Sequence, residues 1–289
     1  MKLGVWLRLG RVSNLPTIWS NVLAALALSG ELSCSPVVLA LAGIFSLYYV
    51  GGMYLNDAFD REIDARERPG RPIPSGQVSA GLVFGLGFGA LALGTLGLGI
   101  VAHSADTSLL GALGSGGLLA LFIIGYDAYH KQNPLSPVLM GLCRVMVYVA
   151  CAYAVSDALA LSVGLGALGL LCHLIGLSYA AKQEAYNRLT RIWPLAFLLA
   201  PFAYGAHLAQ GEPRVWPFLG AFALWMLHSV RFLRPGPGRS VPGAVVRLIA
   251  AISLLDAVFI ASTGAVRWAL VAFFCAAATR LFQRVIPGT

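Results

Sequence analysis

Residues 36–64 read PVVLALAGIFSLYYVGGMYLNDAFDREID. The first twenty carry no charge, and the last nine carry four acids. A helix needs about 20 mainly apolar residues to cross a hydrocarbon core roughly 30 Å thick. The apolar part therefore predicts a membrane-spanning helix, and the acidic part its end. Outward from this stretch the pattern repeats. Apolar runs fall at 14–30, 36–57, 79–102, 108–126, 135–156, 158–181, 192–209, 214–233, 242–262 and 265–284. Irregular backbone cannot face lipid, so each run reads as a helix. The glycines of 81–99 and 111–117 suit close approach between such helices.

Composition agrees. Of 289 residues 58% are hydrophobic and 11% charged, whereas a soluble domain carries about 25% charge. A water-soluble globule, a disordered chain and a coiled coil are excluded. The expectation is an all-α, polytopic membrane bundle of nine to ten transmembrane helices, one membrane domain over 1–289. The stretch near Arg8 and Arg11 is interrupted by Asn14, Pro16 and Asn21, so it reads as a retained first helix and not a cleaved signal. The five cysteines are scattered and suggest neither disulfides nor zinc.

The net charge of +8 would suggest nucleic acid in a soluble protein. Here it fits basic loops beside an anionic leaflet, and no nucleic-acid partner is expected. Arg- and Lys-rich segments (2–11, 61–71, 131, 182–191, 231–239, 280–284) alternate with poor ones. That alternation predicts a cytoplasmic N-terminus and a cytoplasmic active face. Arg-heavy base usage points to a bacterial inner membrane.

The acidic end is the chief candidate site. At about 100° per residue, Asn56, Asp57, Asp60 and Asp64 share a helix face about 100° wide. Like charges at a membrane boundary repel and are costly to desolvate. A hard divalent cation relieves both, and Mg²⁺ takes oxygen ligands together with substrate phosphates. The spacing alone leaves open a solvated helix end, with its acids paired to Arg61, Arg66 and Arg68. The loop Arg68-Pro69-Gly70-Arg71-Pro72-Ile73-Pro74-Ser75-Gly76 follows. Metal and arginine together suit a leaving diphosphate.

Asn-Asp-x-x-Asp-x-x-x-Asp followed by Arg-Pro-Ile-Pro-Ser-Gly resembles the UbiA superfamily of intramembrane prenyltransferases. So does Arg11-Val12-Ser13-Asn14-Leu15-Pro16-Thr17, with Asn21 a turn on. The wording around Tyr126–Lys131 and Ser178–Glu184 resembles the EboC branch of that superfamily. The resemblance implies a helical bundle around a central cavity open to the cytoplasm and to lipid. It implies Mg²⁺, an isoprenoid diphosphate that ionises to an allylic carbocation, and a lipophilic or small-molecule acceptor, aromatic or polyol. Asn56, Asp57, Asp60 and Asp64 match the first metal motif. Arg71, Lys131, Arg144 and Lys182 are the expected diphosphate contacts, with Lys131 also catalytic. Lys131 stands one place later than the family's Tyr-x-x-x-Lys allows. Asn21, Tyr126, Asp127, Gln183 and Asn187 are the expected acceptor or second-motif face. The second aspartate motif is missing: its positions fall on Ala181 and Ala185, leaving Glu184 as the carboxylate that could hold metal. A non-catalytic isoprenoid-binding or transport protein on the same scaffold is therefore the alternative.

Overall fold

The computed structural model describes residues 3–33, 36–131, 133–182, 192–233 and 238–288. Glu184, Gln183 and Asn187, three expected site residues, lie outside the described residues. Twelve α-helices are described: α1 (Leu3–Leu9), α2 (Leu15–Ser29), α3 (Pro36–Phe59), α4 (Arg61–Glu67), α5 (Ala80–Ser104), α6 (Leu109–Tyr129), α7 (Ser136–Tyr153), α8 (Leu161–Lys182), α9 (Ala200–Gly211), α10 (Val215–Arg231), α11 (Val241–Ala261) and α12 (Val266–Phe282). There is no strand among the described residues.

Ten of these helices fall, in order, on the ten apolar runs; α1 and α4 are the short extras. Six (α3, α5, α6, α7, α8 and α11) are long and apolar enough to cross a membrane. The helices on the other four runs, α2, α9, α10 and α12, have 15, 12, 17 and 17 residues. A tight helical turn over Trp193–Leu199 leads into α9.

α11 packs against α2, α8, α10 and α12, and 252–261 are buried without interruption. A helix apolar all round belongs in the interior. Large apolar side chains such as Leu39, Leu96, Ile100, Leu110, Leu161 and Phe274 point outward, as a lipid-facing surface requires. α5 lies against α3 through its small residues. A Cβ on Gly87 would stand 2.7 Å from Leu55, and one on Gly94 would stand 2.8 Å from the Tyr48 ring. The glycines therefore let two helices approach to backbone distance. Tyr48 shares a 2.7 Å hydrogen bond with Thr95 across the same contact.

The acidic segment is not one unbroken helix. α3 ends at Phe59, Asp60 forms a turn, and α4 follows. The ladder nonetheless runs on: the Asp60 amide donates to the Asn56 carbonyl (3.0 Å) and that of Asp64 to Asp60 (2.8 Å). Arg61 Nη1 donates to the freed Ala58 carbonyl at 3.1 Å, which satisfies the helix end. Asn56, Asp60 and Asp64 thus stay on one face despite the break.

Candidate functional site

A cavity of about 680 Å³ lies among α2, α3, α6, α7, α8 and α11. Its inner walls are apolar and aromatic, with Phe45, Tyr48, Leu119, Ile123, Leu174 and Ile252 among the lining residues. Its mouth is polar. Asn56, Asp60, Asp64, Asp127, Arg71 and Lys131 line it, and Ala181 and Lys182 close the α8 side. Asp57 instead lines an adjoining cleft of about 300 Å³, together with Arg8, Arg68 and the shared Arg11 and Arg71.

Asp57, Asp60, Asp64 and Asp127 are all buried, and each has a partner on one oxygen. Arg71 Nη1 donates to Asp57 Oδ1 and to Asp64 Oδ2, both at 2.9 Å. Arg11 Nη2 reaches Asp57 Oδ1 at 3.1 Å and Asn56 Oδ1 at 3.2 Å. Lys131 Nζ and His130 Nε2 approach Asp60 Oδ2 at 3.3 and 3.5 Å. Asn56 Nδ2 donates to Asp127 Oδ1 at 3.1 Å. The second oxygen of each carboxylate takes no hydrogen bond or ion pair from the described residues. For Asp127 this Oδ2 is fully buried. A buried acceptor with no donor is costly and asks for a ligand.

Local folding explains these placements. Beyond α4 the chain turns back on itself, with the Ser75 amide on the Arg71 carbonyl and that of Gln77 on Pro72. Gly76, at φ +73°, makes the left-handed turn that closes it. The result folds Arg71 onto the end of the helix it follows. Arg11 itself has φ +41°, a conformation rare for a side-chain-bearing residue. That turn aims its guanidinium at α3. His130 stacks on Tyr126 at 5.0 Å between ring centroids, which holds its ring toward Asp60. Burial pushes the Asp60 pKa upward, but His130 and Lys131 outweigh this and hold it below the ordinary carboxylate value.

The structure therefore brings together Asn56, Asp57, Asp60, Asp64, Asp127, Tyr126, Arg71 and Lys131. Lys182 donates through Nζ to the Asn133 carbonyl and touches no carboxylate among the described residues. Arg144 and Asn21 also stay apart from this cluster: Arg144 Nη1 donates to Asn21 Oδ1 at 2.7 Å, and Tyr49 stands between Arg144 and Arg11. Arg11 and His130 were not among the sequence candidates. The Arg11–Thr17 motif was the available signal for the first; nothing in sequence marked the second. Asp256 and Arg247, both on α11, do not meet. Arg247 stacks on Phe232 at 3.7 Å, while Asp256 accepts from Ser20, Asn21 and Tyr148.

The donor set suits Mg²⁺: hard oxygens, one of them a buried orphan, at a polar mouth. Among the described residues no three His, Cys, Asp or Glu side chains close on one point. Arg71 ties Asp64 and Asp57 together, while His130 and Lys131 hold Asp60. A metal and its diphosphate would compete with these cations for the same carboxylates.

Long apolar helices around a cavity with a carboxylate and cation mouth define an integral membrane protein. Residues 13–241 match the UbiA prenyltransferase family, and the chain belongs to it. It is 39% identical over 95 residues to a digeranylgeranylglyceryl phosphate synthase of Ignicoccus hospitalis, covering 33% of this chain and 31% of that one. It is 32% identical over 130 residues to a protein of the same name from Methanospirillum hungatei, covering 43% and 40%. The matched segments thus span well under half of these relatives. A solved UbiA homologue from Aeropyrum pernix superposes with TM-score 0.51 at 16% identity, covering 93% of this chain and 97% of that one. A structure described for digeranylgeranylglyceryl phosphate synthase in membranes gives 0.53 at 18%, covering 98% and 95%. Both likenesses establish the fold.

Proposed function

We propose that the protein transfers an isoprenoid group from its diphosphate to an acceptor inside the membrane. The carrying observation is the mouth of the cavity: three buried carboxylates, Asp60, Asp64 and Asp127, each tied to a donor through one oxygen and without a partner on the other among the described residues, above apolar and aromatic walls. The diphosphate head sits at the mouth and the isoprenoid tail lies inward. Asn56, Asp60, Asp64 and Asp127 would hold Mg²⁺, and Asp57 fixes Arg11 and Arg71. Glu184 is the further ligand that the family resemblance offers. Bound Mg²⁺ supplies charge neutralisation for the diphosphate oxygens.

The residues do the remaining work. Arg71, Arg11 and Lys131 lie where negative charge grows as the allylic C–O bond breaks and its electron pair leaves with pyrophosphate. Tyr48, Tyr49 and Tyr126 present ring faces that favour the cation left behind. The acceptor donates its electron pair to the allylic carbon and loses a proton to the departing pyrophosphate. Gln183 and Asn187 are the acceptor-side residues that the family resemblance offers. The acceptor is a polyol or a lipid carrying one; the relatives' naming for a glyceryl phosphate product supports this over an aromatic ring. The basic loops around the mouth support a cytoplasmic active face. The relatives are archaeal and lend no weight to a bacterial source.

The test is the purified full chain in lipid nanodiscs with Mg²⁺, radiolabelled geranylgeranyl diphosphate and a membrane extract as acceptor. Label entering a new lipid, lost in Asp60→Asn, is the expected result. The absence of a carboxylate at Ala181 favours a second reading, a carrier of isoprenoid diphosphates. Tight metal-dependent binding with no label transfer would select it.

A further inference from the structure

The cavity holds a second charged group, Arg144, that the carboxylate cluster does not use. It is the ninth residue of α7, about 12 Å along the helix axis at 1.5 Å per residue. An arginine at that depth in an apolar helix is expensive and marks function by default. Arg144 lines the cavity, and a fully buried network stands behind it. Nη1 donates to Asn21 Oδ1 (2.7 Å) and to the Thr17 carbonyl (3.3 Å), and Nη2 to Thr17 Oγ1 (3.1 Å). Asn21 Nδ2 in turn donates to both oxygens of Asp256, at 3.1 and 2.8 Å. Tyr148 and Ser20 hydroxyls supply one further donor to each of those oxygens.

Asp256 thereby fixes which way the Asn21 amide faces. Its NH₂ must point to the carboxylate, so its oxygen must point to Arg144. The guanidinium is then held from behind along its Nη1 side. Three of its five N–H groups are used. The Nε–H and one Nη2–H take no partner among the described residues. Two adjacent N–H groups on a fixed planar fork match two oxygens of a phosphate or carboxylate.

We infer that Arg144 is the binding site for an oxyanion carried by the acceptor, separate from the diphosphate mouth, and that Asp256 is its positioning residue, acting through Asn21. The inference rests on the prenyl-transfer reading above and names the head-group chemistry of its second substrate. It separates two anions within one cavity: the diphosphate at the Asp60 end, and a phosphate or carboxylate beyond Tyr49.

The experiment uses the full chain in nanodiscs with its diphosphate site filled by non-hydrolysable geranylgeranyl thiolodiphosphate. Binding of radiolabelled geranylgeranylglyceryl phosphate is compared with that of geranylgeranylglycerol, the same lipid without phosphate. The wild type prefers the phosphate by about tenfold or more. Arg144→Gln abolishes the preference and leaves the thiolodiphosphate affinity unchanged. Arg144→Lys keeps the charge, so it guards against simple misfolding, and it retains part of the preference because it lacks the fork. Asp256→Asn lowers the preference without changing affinity for the neutral lipid; a purely structural role would weaken both lipids alike. Equal wild-type binding of the two lipids would overturn the inference, and so would an Arg144→Gln loss of thiolodiphosphate binding as large as its loss of lipid phosphate. Should the thiolodiphosphate bind nowhere, the prenyl-transfer reading fails on that result alone. The phosphate preference, measured without it, still decides the role of Arg144.

Discussion

The protein holds carboxylates in two places, and they are furnished in opposite ways. At the mouth Asp60, Asp64 and Asp127, and in the adjoining cleft Asp57, are each held on one oxygen and take no partner on the other among the described residues, with arginines, a lysine and a histidine against them. In the interior, Asp256 takes donors on both oxygens, from Asn21, Ser20 and Tyr148, and meets no cation directly among the described residues. A carboxylate with a spare oxygen and mobile cations beside it is ready for a ligand. A carboxylate saturated by neutral donors is finished as a structural element and orients its neighbours. The comparison predicts that substitutions at the mouth damage function more than stability, and that the interior shows the reverse.

The largest effect should come from Asp60→Asn. Losing one such preorganised electrostatic group costs about 10²–10³ in turnover, read as pyrophosphate release. The melting temperature in nanodiscs should fall only slightly, because the isosteric amide fills the same space and gives up only the pairing with His130 and Lys131. A collapse in melting temperature would erase the contrast. Asp256→Ala should do the opposite. It strands the donors of Asn21, Ser20 and Tyr148 and leaves Arg144 without its distant counter-charge, a loss of about 3–5 kcal/mol. Thermal unfolding followed by cysteine reactivity would show it, and an unchanged melting point would break the distinction from the interior side.

Arg71→Lys should sharpen the picture at the mouth. Lysine keeps the charge but cannot hold Asp57 and Asp64 with the same planar group. A rise of about tenfold in the diphosphate KM, with a smaller change in kcat, is expected. The smallest effect belongs to a site remote from both clusters. Gly97→Ala sets a methyl 2.8 Å from the Ile44 side chain. Overpacking of this kind costs about 1–3 kcal/mol, visible as a lower melting temperature with an unchanged diphosphate KM.

Much of this was legible in the sequence where the signal is local. The apolar runs set ten helices in order, because a lipid-spanning segment must satisfy its own backbone. The four-residue spacing of Asn56, Asp60 and Asp64 put them on one face, and the turn at Asp60 did not disturb it. The Arg71 loop was readable because it lies a few residues from the acids it meets. What escaped depends on contacts far apart in the chain. Arg11 reaches Asp57 across 46 positions, by way of a left-handed turn that no propensity announces. Asp127 meets Asn56 across 71. The Asp256 network joins α2, α7 and α11, and each member alone reads as an ordinary polar residue in an apolar helix. Lys182 shows the limit from the other side: its charge and position suggested phosphate, and the structure sets it on the Asn133 carbonyl.

The central claim is that the spare carboxylate oxygens at the mouth receive a metal-bound diphosphate. Electron paramagnetic resonance of Mn²⁺ added to the nanodisc-embedded protein, with and without geranylgeranyl thiolodiphosphate, tests it most directly. The account predicts that the diphosphate analogue immobilises Mn²⁺ on the protein, and that Asp60→Asn and Asp127→Asn each lose that signal while remaining folded. A full Mn²⁺ signal in both variants, or none in the wild type with the analogue bound, would contradict it.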